Sequence, residues 1–388
     1  MSSALTASAS ATPEESANPL LRPVSFVQPA RIEYGSGKAR ALGDLIAGWS
    51  DRRVLVVADA FNAGRTDLLG LPAQTHVFSR VKPEPDLPNL DELLDEARAF
   101  APDLVIGFGG GSAMDLAKLA AVLATSSKGL RDIVGVGKAD PRSIGLIAIP
   151  TTAGTGSEVG ARALVTDPSS QSKMAVESRH MVADLAVVDP DLTVSLPPAV
   201  TAATGVDALA HCAEAFTSRR AHPLIDIYAQ KGIALVGQYL ARAVADGSDV
   251  EARAGLAMAA LYGGFCLGPV NTTAGHALSY PLGTRYGVPH GLANAVIFPH
   301  TLAFNASAQT AKTATVAELM GFDGTKLFDS AHRYCLDLGI EMRMSKLGVP
   351  ADDLPSMAEE AHGIRRLLDF NPREIASEDI LAIYRAAY

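Results

Sequence analysis

Short apolar runs alternate with amphipathic stretches through the first half of the chain. The second half carries amphipathic stretches only. Residues 54–58 form an apolar run that ends at Asp59. Residues 104–107 form another, leading into Gly109-Gly110-Gly111-Ser112, and residues 144–149 a third, leading into Pro150-Thr151-Thr152-Ala153-Gly154-Thr155-Gly156-Ser157. Helical periodicity lies between the first two runs, near 89–99, and again over 113–123. Continuous apolar strands separated by helices predict a parallel sheet covered on both faces. The pattern changes near Asp189-Pro190-Asp191-Leu192, and from about Pro197 only helical periodicity remains. The expected fold is therefore an α/β domain over 23–194, with a parallel sheet, followed by an all-helical domain over 195–388. Residues 1–22, rich in Ser and Ala, read as a disordered tail.

Composition narrows the function. The 388 residues suit two domains better than one. A net charge of −9 argues against nucleic acid as a partner, because phosphate binding needs an excess of basic residues. Residues 254–284 contain no Asp, Glu, Lys or Arg. Their glycines, Pro269, Asn271 and His276 fit a buried helix followed by a polar turn, not a membrane span. Cys212, Cys266 and Cys335 lack C-x-x-C spacing, and with no secretory signal they point to a reducing, cytoplasmic setting with buried thiols.

Two groups of residues carry chemistry, one making 23–194 the expected nucleotide-binding domain and the other making 195–388 the expected metal-binding and catalytic domain. Gly110, Gly111 and Ser112 follow a strand and open a helix, where backbone amides and the helix dipole favour phosphate. Asp115 and Lys118 follow at set spacings. Asp59 has two readings. It is a carboxylate for adenosine ribose hydroxyls, favouring NAD over NADP, or an N-cap for the next helix. The loop from Thr151 to Ser157 gathers four hydroxyls and suits phosphate, ribose and the nicotinamide amide.

The second group is Asp207, His211, His276 and His290. Asp207 and His211 stand four apart in Gly-Val-Asp-Ala-Leu-Ala-His-Cys, on one face of a helix. Taken alone they are a helix-surface ion pair. Joined by His276 and by His290 in Val-Pro-His-Gly, they make a nitrogen and oxygen donor set suited to Fe2+ or Zn2+ rather than Mg2+ or Ca2+. His76, His180, His222, His332 and His362 read as surface or core fillers and His300 as structural.

These motifs resemble the iron-containing (group III) alcohol dehydrogenases. The matching segments are Gly-Gly-Gly-Ser-Ala-Met-Asp-Leu-Ala-Lys, Pro-Thr-Thr-Ala-Gly-Thr-Gly-Ser-Glu-Val, Gly-Val-Asp-Ala-Leu-Ala-His-Cys-Ala-Glu and His-Ala-Leu-Ser-Tyr-Pro-Leu-Gly, with Val-Pro-His-Gly. The resemblance covers the chain after about residue 25. It implies a dehydroquinate-synthase-like pair of domains with the active site in the cleft between them. It assigns Asp207, His211, His276 and His290 to the metal. It assigns Asp59, Gly110, Gly111, Ser112, Asp115, Thr151, Thr152 and Lys173 to NAD, and it implies a homodimer. The chain departs from the family pattern twice. Tyr280 stands where many members carry a further His, and Glu84 where many carry Asn in a Pro-Asn-Pro turn. The Tyr280 version resembles the hydroxyacid-oxoacid transhydrogenase branch.

The expected activity is hydride transfer between NAD(H) and a small alcohol, aldehyde or ketone, with the proton leaving through water, the ribose hydroxyls or Tyr280. A transhydrogenase-like reaction and a dehydroquinate-synthase-like lyase are the alternatives, the lyase requiring a phosphate pocket rich in Lys and Arg in the helical half. A non-catalytic nucleotide-binding protein is a third. Arg162 has two readings: it orients an anionic substrate, or it pairs with Asp167 or Glu158 on the surface.

Overall fold

The computed structural model describes residues 18–49 and 52–388. Six parallel strands make the main sheet: β1 (Arg31–Tyr34), β2 (Val54–Ala58), β3 (Thr75–Phe78), β4 (Leu104–Gly109), β6 (Gly145–Pro150) and β9 (Leu185–Val188), in the order β1-β9-β6-β4-β2-β3. The apolar runs form strands because both of their faces are covered. Leu55, Val57 and Val105 enter one apolar cluster with the helices Leu87–Phe100 and Gly111–Leu123. Val54, Val56, Ala58, Ile106 and Phe108 enter another with Leu42, Ile46 and Leu69.

Strand order reverses at β2, which pairs with β3 on one side and β4 on the other. In an open parallel sheet such a reversal leaves a crevice at the carboxyl ends of the strands, and ligands bind there. Asp59 follows β2 and Gly110 follows β4, so both stand at this switch point.

The apolar runs of the sequence are β2, β4 and β6; β1, β3 and β9 were not marked there, and neither were the remaining three strands. β5 (Gly135–Val136), β7 (Arg162–Asp167) and β8 (Ser172–Glu177) form a small second sheet, in which β7 and β8 pair antiparallel. The burial of β7 alternates, so its hydrophobic signal is half that of a doubly covered strand.

After β9 the described residues contain helices and turns but no strand. The helices that build the site are Pro198–Thr217, Val250–Leu267, Ala274–Tyr286 and His290–Asn305. None of the helices among the described residues is long and apolar enough to cross a membrane. The uncharged stretch 254–284 is indeed a buried helix, a turn and the start of another helix. All three thiols are buried and free. The halves meet closely at Gly156, which has φ +61 and lies against Gly264 so tightly that a Cβ would fall 2.4 Å from its Cα. Only glycine fits both requirements.

The tail expected over 1–22 falls, for residues 1–17, outside the described residues. Residues 18–22 hold local structure instead. Pro19–Leu21 is a 3-10 turn capped by Asn18, and Arg22 donates to the Arg219 carbonyl at 2.9 Å.

Two charged side chains lie buried beneath the cleft. Lys118 donates to Ser157 Oγ at 2.7 Å and to the Arg162 carbonyl at 2.9 Å. Burial pushes the neighbouring Glu158 carboxyl up from 4.5 to about 7. The folded state therefore holds its proton more tightly than the unfolded chain. Stability falls as pH rises from 4.5 to about 7, by about 3 kcal/mol in all. Glu158→Gln removes that loss. The melting temperature of the variant relative to wild type is expected to rise between pH 5 and pH 7, and a difference independent of pH contradicts this assignment.

Candidate active site

Helical periodicity sets the first part of the site. Asp207, His211 and Glu214 recur at i, i+4 and i+7 along Pro198–Thr217 and share one face. Ala274–Tyr286 contributes His276, and His290 opens His290–Asn305. The Nε2 atoms of His276, His211 and His290 lie 3.5, 3.8 and 3.8 Å from Asp207 Oδ1. One donor atom from each of the four residues falls within 4.8 Å of every other.

The outer nitrogens are already engaged. His276 Nδ1 lies 2.7 Å from Glu214 Oε1, and His211 Nδ1 lies 3.2 Å from the Gly154 carbonyl. Both partners are acceptors, so Nδ1 carries the hydrogen in each ring. The Nε2 lone pairs are thereby turned to the common point, as in metal sites whose second ring nitrogen is hydrogen-bonded. Glu214 Oε2 also accepts from the Thr273 amide at 2.6 Å and its hydroxyl at 3.1 Å.

Electrostatics agree. Burial alone works against an ionised Asp207, but the surrounding His211, His290 and His276 hold it well below the usual carboxylate range. Burial disfavours a charged His276 as well, yet Glu214 and Asp207 raise it to about 10. A buried point that attracts a proton this strongly is one where a divalent cation is favoured. The four residues fit Fe2+ or Zn2+ by donor type, count and outer partners.

The cleft beside them is lined from both halves. The α/β half gives Glu84, Gly110, Gly111, Ser112, Asp115, Lys118, Thr152, Thr155, Ser157, Arg162, Lys173 and Glu177. The helical half gives Asp207, His211, Thr272, His276, Tyr280 and His290, and no Lys or Arg among the described residues. Gly110 adopts an extended conformation and opens the Gly111–Leu123 helix, so the amides of that first turn face the cleft end of the sheet.

The N-cap reading of Asp59 holds. It caps the next helix by accepting from Asn62 N at 3.0 Å, and it lies at the strand end beside Gly109. Thr151 turns away, its hydroxyl accepting from Asn62 Nδ2 at 3.3 Å. The two oxygens of Asp115 accept from Ser157 Oγ at 2.7 Å and Leu164 N at 2.9 Å, so Asp115 fixes the hydroxyl-rich loop to β7.

Arg162 lines the cleft, but neither partner expected for it is the one found. Asp167 pairs with Arg131, and Glu158 is buried elsewhere. The guanidinium instead donates from Nη2 to Glu177 Oε2 at 2.6 Å and from Nη1 to Asn271 Oδ1 at 2.7 Å. β7 pairs Arg162 directly with Glu177 across the hairpin, which explains the change of partner.

Lys173 is ion-paired with Glu84, which sits at φ +50 between two prolines. Burial works to raise the Glu84 carboxyl, and Lys173 and His290 outweigh it and hold it low. Tyr280 receives a hydrogen bond from Arg366 Nη2 at 3.2 Å, and its ring centroid lies 6.1 Å from that of His290. Burial raises this phenol, and Arg366 and His276 more than offset it, leaving it below its ordinary value.

Glu214, Asn294, Glu177 and Arg366 were not singled out from the sequence. The first two had a signal: each is a polar residue at helical spacing after a candidate ligand, Glu214 three after His211 and Asn294 four after His290.

A parallel sheet with a phosphate-suited turn at its switch point, facing a buried three-His, one-Asp cluster, defines a metal-dependent nucleotide-linked oxidoreductase. Comparison with known proteins gives the family. Residues 29–190 match the model for iron-containing alcohol dehydrogenase, and residues 201–388 match the C-terminal model of the Fe-containing alcohol dehydrogenase family. The chain belongs to the iron-containing alcohol dehydrogenases and is an NAD-dependent oxidoreductase of that type.

It is 36% identical over 382 residues to long-chain-alcohol dehydrogenase 1 of Geobacillus thermodenitrificans, covering 94% of this chain and 96% of that protein. A crystal structure of 1,3-propanediol oxidoreductase superposes with a TM-score of 0.89 at 32% identity, covering 95% of this chain and all of that one. Sulfoacetaldehyde reductase from Bifidobacterium kashiwanohense in complex with NAD+ superposes at 0.85 with 29% identity, covering 94% and 99%.

Proposed function

We propose that this enzyme interconverts a small alcohol with its aldehyde or ketone using NAD(H), and that Asp207, His211, His276 and His290 hold its Fe2+, a set that suits Zn2+ equally. The carrying observation is the convergence of their donor atoms within 4.8 Å at the wall of the same cleft that the Gly110–Ser112 turn opens on. A bound divalent cation supplies Lewis acidity toward the alcohol or carbonyl oxygen. The protein supplies position. The amides of Gly110, Gly111 and Ser112 receive the pyrophosphate, with Thr152 beside them, and Asp59 receives the adenosine ribose. Asp115 and Thr151 act by holding the surrounding loops, and Lys173 with Glu84 closes the wall near His290. The Tyr280 hydroxyl, kept acidic by Arg366, exchanges the proton. Among the described residues, the helical half lines the cleft with no Lys or Arg, and its nearest cation, Arg366, is already engaged behind Tyr280, which disfavours the lyase. A screen of NADH oxidation over aldehydes, ketones and 2-oxoacids on iron-loaded protein tests this; no turnover on any of them rejects it.

Cofactor choice follows from Asp59. Its carboxylate repels a 2′-phosphate. Asp59→Gly is expected to shift the kcat/KM ratio toward NADPH by about 10- to 100-fold, the size of a charge-assisted hydrogen-bond effect. A wild-type preference for NADPH contradicts the assignment.

Substrate charge follows from Arg162. Glu177 and Asn271 hold its fork while engaging three of its five N–H groups, and the rest serve an anionic substrate end. Arg162→Ala is expected to lower kcat/KM by about 10- to 100-fold on an anionic aldehyde and to spare a neutral one of similar size. Equal losses on both remove this role.

We further propose a cytoplasmic homodimer. Free buried thiols fit a reducing setting, and β1 ends the main sheet with one edge unpaired among the described residues, which a second copy can cover. Light scattering after size exclusion distinguishes dimer from monomer.

A further inference from the structure

Residues 189–197 join the two halves, between the end of β9 at Val188 and the start of the helix Pro198–Thr217. Two arginines hold this segment, one from each half. Arg253, buried in the helical half, donates from Nη2 to the Leu196 carbonyl at 3.2 Å and from Nη1 to Thr201 Oγ1 at 2.7 Å. Arg65, in the α/β half, donates from Nη2 to the Leu192 carbonyl at 3.3 Å and from Nη1 to Ser195 Oγ at 3.4 Å. The other side of the Arg65 fork faces Asn62, whose Oδ1 accepts from Nε at 3.0 Å and from Nη2 at 2.7 Å. Asn62 is buried, and it holds Asp59 in turn. Its backbone N–H donates to Asp59 Oδ1 at 3.0 Å and its Nδ2 to Asp59 Oδ2 at 2.5 Å. A guanidinium only donates, so Oδ1 of Asn62 must face Arg65 and Nδ2 must face Asp59. An unbroken chain of hydrogen bonds thus runs from the Asp59 carboxylate through Asn62 and Arg65 into the segment between the halves.

Resting on the reading of Asp59 as the ribose carboxylate, we infer that Asn62 and Arg65 are positioning residues that couple the ribose site to the joining segment, so that NAD+ binds at full strength only when the two halves stand at one set angle. A carboxylate offers about four lone-pair sites. Asn62 takes one on each oxygen of Asp59 and leaves one on each for the paired hydroxyls of a ribose. Asp59 keeps that orientation only while Asn62 is held, and Asn62 is held by the fork. The fork is planar and cannot follow a displaced Leu192 or Ser195 without leaving Asn62. It is also preset, because the Arg65 guanidinium carbon lies 4.7 Å from the Phe61 ring centroid and 5.7 Å from that of Phe108. Movement of the joining segment is therefore felt at Asp59, and by reciprocity a ribose seated on Asp59 resists that movement. The α/β half carries the cofactor turn and the helical half the four converging donors, so the same chain of bonds sets one against the other.

The test uses the full-length protein and NAD+. In wild type, saturating NAD+ is expected to slow hydrogen exchange of the 191–196 amides by about 10-fold, read by mass spectrometry. Arg65→Met keeps the stem against Phe61 and Phe108 and removes the fork. It is expected to bind NAD+ about 10-fold more weakly by calorimetry and to show no slowing of exchange at saturation. Arg65→Lys keeps the charge without the fork and is expected to behave as the methionine variant does. Asp59→Ser keeps the helix cap and removes the carboxylate. Adding Arg65→Met to it is expected to weaken NAD+ binding no further, because Arg65 acts through Asp59. Additive losses in the double variant overturn the inference. So do a wild type whose exchange NAD+ leaves unchanged, slowing that survives in Arg65→Met, and full recovery by lysine of both affinity and slowing. Each of these leaves the ribose reading standing, whereas Asp59→Ser with the affinity of wild type removes the ribose reading and the inference together.

Discussion

His290→Ala is expected to leave a folded protein that binds NAD+ and has lost both its metal and its activity. His290 sits at the first turn of its helix at the wall of the cleft, about a quarter exposed, and its removal leaves the buried Asp207 still flanked by His211 and His276, and Glu84 still paired with Lys173. It does strip one nitrogen from a set in which each donor lies within 4.8 Å of the rest. Bound metal, measured by mass spectrometry of dialysed protein, falls to trace. Turnover with NADH and an aldehyde falls by about 1,000-fold or more, since Lewis-acid stabilisation of the reacting oxygen is worth several kcal/mol. NAD+ affinity, measured by calorimetry, stays within a few-fold, because the Gly110–Ser112 turn and Asp59 are untouched. Full metal content in the variant removes His290 from the donor set.

Glu214→Ala strikes the same centre from behind, with a different signature. Glu214 is buried and accepts from His276 Nδ1, the Thr273 amide and the Thr273 hydroxyl. Alanine leaves these donors without partners in a site that water reaches poorly, and His276 loses the acceptor that orients its ring. Breaking such a buried charged pair costs about 3–5 kcal/mol of folding stability. Loss of the outer hydrogen bond weakens metal binding by about 10- to 100-fold. Unlike His290→Ala, this variant is therefore expected to unfold at clearly lower urea and still to accept metal at high concentration. Glu214→Gln keeps the shape and one carbonyl acceptor, so it falls between alanine and wild type on both scales. Urea midpoints and metal competition on all three proteins test this, and an alanine variant as stable as wild type contradicts it.

The parts of this molecule that were legible in the sequence are those in which one physical constraint dominates. β2, β4 and β6 are apolar along their whole length because helices cover both faces. The helix bearing Asp207 and His211 shows its polar pair because everything around it is apolar. β7 and β8 hid because a strand with one exposed face alternates, and its Arg162 and Lys173 look like surface charge. The site was legible in the same uneven way. Imidazole and carboxylate spacing revealed the four converging donors. Which partner Arg162 takes depends on hairpin register, which places Glu177 opposite it, and no local pattern encodes that. Glu214 and Asn294 lay within one helical turn of ligands already marked. They passed unnoticed because a single buried polar residue in an apolar helix declares its role only once the facing helix is in place.

On the proposed reading, this cleft performs hydride transfer only with a divalent cation held by Asp207, His211, His276 and His290. The most direct measurement follows NADH oxidation by one preparation in three states, with a panel of small aldehydes under anaerobic conditions: as purified with iron, after chelation and dialysis, and after Fe2+ is returned. Turnover is expected in the first state, its loss in the second with NADH still bound, and its recovery in the third. Turnover that persists undiminished in the metal-free protein contradicts it.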